Sequence, residues 1–302
     1  MHSLPFEEDP QWREALDELS RIREQGDYST ESVEYIKQKL QSPDDRVRGG
    51  AALAAEGCLF EPYIADMLID LAENDPNPSI RKAALQSLEG IIAEGVEQGF
   101  EDPTGPEAEV EYAEDWAEVE YGSLREDYQR VKHLLLQLLE DPEEPLDIRE
   151  VALAVLSNLG FLEVIKEYIR DFIRSGRKSA QLVALHAMGK YPQYWEEELA
   201  EMITPDQDKS ILMEAISASY SSQSEKLARR IEAILHHQDA DVLSYALLTL
   251  ANINKTPNMG EILQQFSLHP DPRVQEAARE AIEQFSRDNF NRFMTDELGL
   301  GD

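Results

Sequence analysis

One small residue recurs down this chain at a nearly constant interval. Ala51, Ala84, Ala152, Ala184, Ala215, Ala246 and Ala278 are separated by 33, 68, 32, 31, 31 and 32 residues. Four residues before each alanine stands Val47, Ile80, Ile148, Ala180, Ile211, Val242 or Val274. Residues at i and i+4 share one helical face, and a small side chain there lets a neighbouring helix approach closely. A repeat period in this range marks stacked supersecondary units. The expected fold is all-α, an α-solenoid: a superhelix of about seven helical hairpins. The 68-residue step reads as one repeat plus an insertion of similar length.

Local signals place the pieces. Trp12, Leu16, Leu19 and Ile22 form the apolar stripe of an opening helix within a capping segment, 1–30. Repeats 1 and 2 occupy 31–96, repeats 3 to 7 occupy 124–285, and 286–302 is a tail with frayed final residues. The inner helix of each hairpin is expected to begin near Asp45, Ser79, Asp147, Lys178, Lys209, Ala240 and Pro272. Proline and aspartate at these starts suit a helix N-terminus. The second inner helix reads as one unbroken run, SIRKAALQSLEGIIAEG.

Residues 97–123 break the period. From Glu97 to Glu120 there are ten acidic residues and no Lys or Arg. Periodicity returns only at Tyr128, so this acidic insertion is expected to be partly disordered, with one short helix near 108–119. Its carboxylates must face solvent or a basic partner, because burying them unpaired is very costly. Phe100, Tyr112 and Trp116, interleaved with Glu107, Glu109, Glu111, Glu114 and Asp115, are candidate anchors inside a charged rim. The competing reading is a solvated linker whose aromatic rings fold back onto the repeats.

The hairpin turns carry a recurring phrase, Ser42-Pro43-Asp44-Asp45-Arg46-Val47-Arg48. It returns as Asp75-Pro76-Asn77-Pro78-Ser79-Ile80-Arg81, as Pro145-Leu146-Asp147-Ile148-Arg149, and as Pro270-Asp271-Pro272-Arg273-Val274. It resembles the HEAT repeat, in the short-period form of phycobilisome lyase-type repeat proteins, over roughly residues 31–285. The resemblance implies a protein-binding or scaffolding surface, with some relatives attaching bilin pigments to phycobiliproteins. It also implies that Arg48, Arg81 and Arg149 tie successive turns together, whereas Gln181, Leu212, Leu243 and Gln275 occupy the later equivalents. As polar residues of the inner helices, Arg48, Arg81, Arg149, Gln181 and Gln275 are also candidates for a binding groove. Glu56, Glu89, Glu150, Glu214, Ser244 and Glu276 join them.

The chain has 302 residues, with 61 acidic and 28 basic ones, a formal net charge of −33. Such a charge repels nucleic acid and attracts basic partners, although it also serves solubility or growth in a salty cytoplasm. The one cysteine, Cys58, forms no internal disulfide, and no leader or membrane-spanning run is evident, so a cytoplasmic location is expected.

No catalytic constellation stands out. Cys58 lies near a helix end beside Glu56 and Glu61, the wrong setting for a nucleophile. His236 and His237 are adjacent and point apart on a helix, and no metalloprotease pattern occurs. The alternating Glu107, Glu109 and Glu111 lack an EF-hand loop. Neither a cofactor nor a metal is expected. The primary expectation is a non-enzymatic scaffold or adaptor for a basic protein. A bilin-lyase-like factor is the alternative, and a nucleic-acid-binding array a third.

Overall fold

The computed structural model describes residues 11–101 and 117–298, with side chains over 11–101 and 124–287. Every element of regular structure among the described residues is helical. The chain divides into two compact units, Met1–Leu159 and Gly160–Asp302.

In the first unit, α1 (Gln11–Gln25) lies against α3 (Asp45–Ala54), which pairs with α2 (Thr30–Leu40). The next hairpin is α4 (Ile64–Asn74) with α5 (Pro78–Ser87), and α5 packs on α3. The third is α7 (Ala117–Glu140) with α8 (Leu146–Leu156), and α8 packs directly on α5. The 68-residue step therefore adds no layer between α5 and α8. The extra chain instead supplies α6 (Glu89–Glu97), which rests on α7 and α8.

The second unit repeats the scheme. Its hairpins are α9 (Glu163–Arg174) with α10 (Lys178–Lys190), α11 (Glu196–Met202) with α12 (Lys209–Ala218), α13 (Glu225–Ile234) with α14 (Ala240–Ile253), and α15 (Met259–Phe266) with α16 (Pro272–Leu298). The inner helices α10, α12, α14 and α16 pack in succession. The seven inner helices of the two units begin within one residue of their expected starts.

The alanine seats explain why the layers close. All seven have zero exposure, and the residues four before them are at most 3% exposed. A larger side chain at a seat would push the adjoining inner helix outward. Side-chain caps fix where five of the seven inner helices start, α8 and α10 having none. Asp44, Asn77, Asp208, Asp239 and Asp271 accept a backbone N–H from two residues on, at 2.9–3.0 Å, satisfying donors that a helix start leaves free.

Three elements differ from the sequence expectation. The first inner helix stops at Ala54 and tightens into a 3-10 turn, Ala55–Cys58, where Tyr28 crosses the backbone. A Cβ at Gly57 would lie 1.9 Å from the Tyr28 ring. The second inner run bends at Leu88, so α5 and α6 are separate helices. That bend lets Gly95 meet Tyr128, where a Cβ would lie 2.2 Å from the ring. At the other end, α16 continues through Ser286 to Leu298 as one helix, with no break at the expected tail boundary. Of the short helix expected near 108–119, residues 108–116 lie outside the described residues.

Candidate interaction surface

The residue three before each seat lies about 60° around the helix from it, toward the outer helix of the same hairpin. Arg48 Nη1 donates to the Ser42 carbonyl at 2.8 Å, and its Nε donates to Asp75 in the next turn at 2.8 Å. Arg81 Nε donates to the Ala72 carbonyl at 2.7 Å, and its Nη1 lies 2.7 Å from Glu144. Gln181 donates to the Ile173 carbonyl at 3.1 Å, and Gln275 to the His269 carbonyl at 2.6 Å. Ala72 and Ile173 lie in the last turn of their outer helices, where backbone acceptors lack a helical partner, and Ser42 and His269 lie in the turns just after theirs. Leu212 and Leu243, at the same register, are buried.

Arg48, Arg81, Gln181 and Gln275 are therefore turned into their own hairpins and do not line an open groove. The tie expected of Arg48 and Arg81 exists, through Asp75 and Glu144, and Gln181 and Gln275 keep its bond to a carbonyl within the hairpin. At Arg149 the buried Nε has no hydrogen-bond partner.

A second set of contacts joins the starts of successive inner helices. Asn77 donates to Asp45 at 2.9 Å, and Lys82 pairs with Asp147 at 2.7 Å. Lys178 pairs with Asp208 at 2.8 Å, while Lys209 reaches Asp239 at 2.8 Å and Asp241 at 2.6 Å. Arg273 then reaches Asp241 at 2.6 Å. Hydrogen bonds from these cations hold Asp147, Asp208, Asp239 and Asp271 below the usual carboxylate range, the partners being Lys82, Lys178, Lys209 and Arg273 respectively. Arg46 holds Asp44 down to about 2. Each exposed pair adds little stability. Together they engage many of the few cations within the chain and leave its acidic excess toward solvent.

The row pointing away from the seats lies two residues to either side of each alanine. In α10, α12 and α14 it reads Leu182, His186, Met213, Ser217, Ser244 and Leu248, all exposed or half-buried. Tyr220 and Tyr245 flank it, 40% and 44% exposed. Tyr220 accepts a hydrogen bond from Gln284 at 3.1 Å, and its carbonyl accepts one from Asn252 at 2.6 Å. His186 lies 3.7 Å from Glu214. In the first unit Lys82 and Glu150 stand on this row, whereas in the second unit it carries no Asp, Glu, Lys or Arg until α16, where Glu276, Glu280 and Glu283 are all exposed.

The groove candidates Ser244 and Glu276 lie on this outward row, and Glu214 lies one residue from its seat at the margin. In the first unit Glu150 lies on the outward row, while Glu56 and Glu89 fall past the ends of α3 and α5, in the 3-10 turn and at the start of α6. Leu182, Met213, Ser217, Tyr220, Tyr245 and Leu248 were not singled out by residue type. Their offset from the alanine seats is the signal that finds them.

Phe100 is half-buried against α7. Its ring meets Tyr128 edge-on at 5.5 Å, and Arg125 lies over it at 4.6 Å. Glu101 accepts from Tyr128 at 3.2 Å and pairs with Lys132. Burial pushes the Tyr128 hydroxyl far up, followed by the effect of Glu101. At this ring the fold-back reading of the insertion applies. Glu107, Glu109, Glu111, Tyr112, Glu114, Asp115 and Trp116 lie outside the described residues.

Among the described residues no cluster of three His, Cys, Asp or Glu side chains is placed to hold a metal ion, and no helix is long and apolar enough to cross a membrane.

No family model matches the sequence, and no curated protein matches it significantly. Among solved structures, YibA of Escherichia coli is 14% identical, with a TM-score of 0.49 over 95% of this chain and 99% of that one. A designed armadillo repeat protein is 14% identical, with a TM-score of 0.37 over 83% of this chain and 98% of its own. An engineered protein is 18% identical, with a TM-score of 0.35 over 84% and 96% respectively. The helical-repeat assignment rests on this chain's own hairpins.

Proposed function

We propose that this protein is a non-enzymatic interaction scaffold that holds a basic protein or basic segment. One observation carries the reading. In a chain of net charge −33, the outward row of α10, α12 and α14 holds two leucines, a methionine, two serines and His186, with the half-exposed Tyr220 and Tyr245 beside it, and no Asp, Glu, Lys or Arg. Protein interfaces share its lack of charge at the centre, with charge gathered at the rim, and its use of tyrosine and methionine as contact residues. Glu214 and the exposed glutamates of α16 supply the rim. The surrounding negative field steers a cationic partner toward it. The acidic insertion, with Glu107, Glu109, Glu111, Tyr112, Glu114, Asp115 and Trp116, belongs to the same proposal as an added source of attraction.

Capture from a lysate of the source organism tests this. Basic proteins are expected to be retained in low salt and released as salt rises, and Met213→Glu is expected to lose them. Retention of acidic or neutral proteins, indifferent to salt and to the substitution, would contradict the proposal. The bilin-lyase reading is carried by the repeat resemblance alone. Protein co-expressed with a bilin pathway would have to acquire visible absorbance to support it.

A further inference from the structure

Six positions among the described residues adopt a left-handed backbone, and five of them carry Gly or Asn: Gly26, Gly99, Gly176, Asn254 and Asn258. The sixth is Tyr63, at φ +71°. Glycine has no Cβ to clash in this region and asparagine tolerates it, but a bulky aromatic residue is an outlier. An internal return for that strain would be burial of the ring. Tyr63 is instead 72% exposed, and no hydrogen-bond or ring partner contacts its side chain among the described residues. Phe60, three residues earlier, is 63% exposed.

The Tyr63 side chain borders a shallow depression of about 600 Å³ between α2 and α4, shared with Glu34, Lys37, Gln38, Gln41, Asp66 and Met67. Carboxylates dominate its surroundings. The exposed positions of α4 are Asp66, Asp70, Glu73 and Asn74, the helix contains no Lys or Arg, and Glu61 stands just before it. Lys37 and Arg130 answer only two of the nearby acids, pairing with Glu34 at 2.8 Å and Asp66 at 2.6 Å.

We propose that Tyr63 is a docking residue for a basic segment of a partner protein. A Lys or Arg side chain of that segment lies over the exposed ring, with its charge toward the carboxylates of α4 and its aliphatic neighbours on Phe60 and Met67. A cation over an aromatic face is attracted by the ring itself, and nearby acids reinforce the contact. Strain held at a residue with no internal return is a signature of function. The proposal rests on the reading that the partner is basic, and it adds a contact surface on the outer helices of the first unit.

The test uses the full chain and a dye-labelled, acetylated peptide of alternating arginine and leucine, followed by fluorescence anisotropy at about 150 mM salt, where long-range attraction is screened. Tyr63→Gly and Tyr63→Asn are expected to weaken peptide binding by about fivefold or more. Both are expected to raise the melting temperature, because the backbone strain is relieved. Tyr63→Phe is expected to retain binding, and Leu268→Ala, at an exposed position of the second unit, to change nothing. Equal affinity in the wild type and Tyr63→Gly would overturn the assignment of Tyr63 and leave the basic-partner reading standing. A wild type that fails to bind the peptide would overturn both. A lower melting temperature in both Tyr63 variants would show that the ring serves the fold, which also overturns the proposal.

Discussion

Arg48 Nε lies 2.8 Å from Asp75 Oδ2, and the Asp75 side chain is only 2% exposed. The bond crosses from the first hairpin turn to the second, while Asp75 Oδ1 accepts the Asn77 N–H at 2.8 Å. One carboxylate thus closes its own turn and holds the previous layer. Removing one partner of a buried pair leaves the other desolvated and unpaired. Asp75→Ala is expected to destabilise the protein by about 2–3 kcal/mol, more than Asp45→Ala at the exposed rim. Urea unfolding of both variants checks this, and equal losses would contradict it.

The seats make a sharper demand. Ala215 has zero exposure, and α12 packs on both α10 and α14. Ala215→Leu is expected to cost about 2–3 kcal/mol or to remove cooperative unfolding, since added volume in a packed core forces the backbone apart. Ser217→Leu, two residues away and exposed, is expected to change stability by less than about 0.5 kcal/mol. A calorimetric scan in which the two variants match would remove the basis for layered closure.

Stability at low pH follows from the caps. Asp44 is held down to about 2 in the folded chain, below its ordinary 3.8, by the hydrogen bond from Arg46. A carboxylate with a lowered folded value stabilises fully above its unfolded value, and that contribution is lost as pH falls through the folded one. The difference between wild type and Asp44→Ala is therefore expected to be about 1 kcal/mol near neutrality and to shrink as pH falls from about 4 to 2. Comparing the two proteins cancels the relief of general charge repulsion that also accompanies acidification. A difference that stays constant across that window would contradict this origin.

Cys58 gives a chemical check on the 3-10 turn. It is 5% exposed, and burial, followed by Glu61, pushes its thiol up to about 11. Only thiolate reacts readily. Labelling by iodoacetamide at pH 8 is expected to be slow in the native protein and fast in denaturant. Rapid native labelling would mean that the turn and the Tyr28 ring crossing it open frequently.

The fold was largely readable because its main signal is periodic. An aliphatic residue and an alanine four apart recur in each inner helix, and proline or aspartate marks many of the starts. The surface was less readable. Residue type suggested that Arg48 and Gln275 face a groove, but their offset from the seat turns them toward backbone carbonyls. Leu182 and Met213 look like core residues by type, yet their offset sets them outward. Gly95 and Tyr128 meet across a segment without periodicity, so no local pattern announces their contact or the bend at Leu88. The left-handed backbone at Tyr63 was also invisible, because its sequence holds none of the glycine or asparagine that normally marks such a turn.

The central functional claim is that the uncharged outward row of α10, α12 and α14 is the face that meets a partner. A photocrosslinking residue placed at Met213, and separately at Val164 on the exposed side of α9, tests it most directly in a lysate of the source organism. Adducts of basic proteins at position 213, absent at position 164 and lost in high salt, are the expected result. Adducts at 164 alone, or none at 213 in low salt, would contradict the claim.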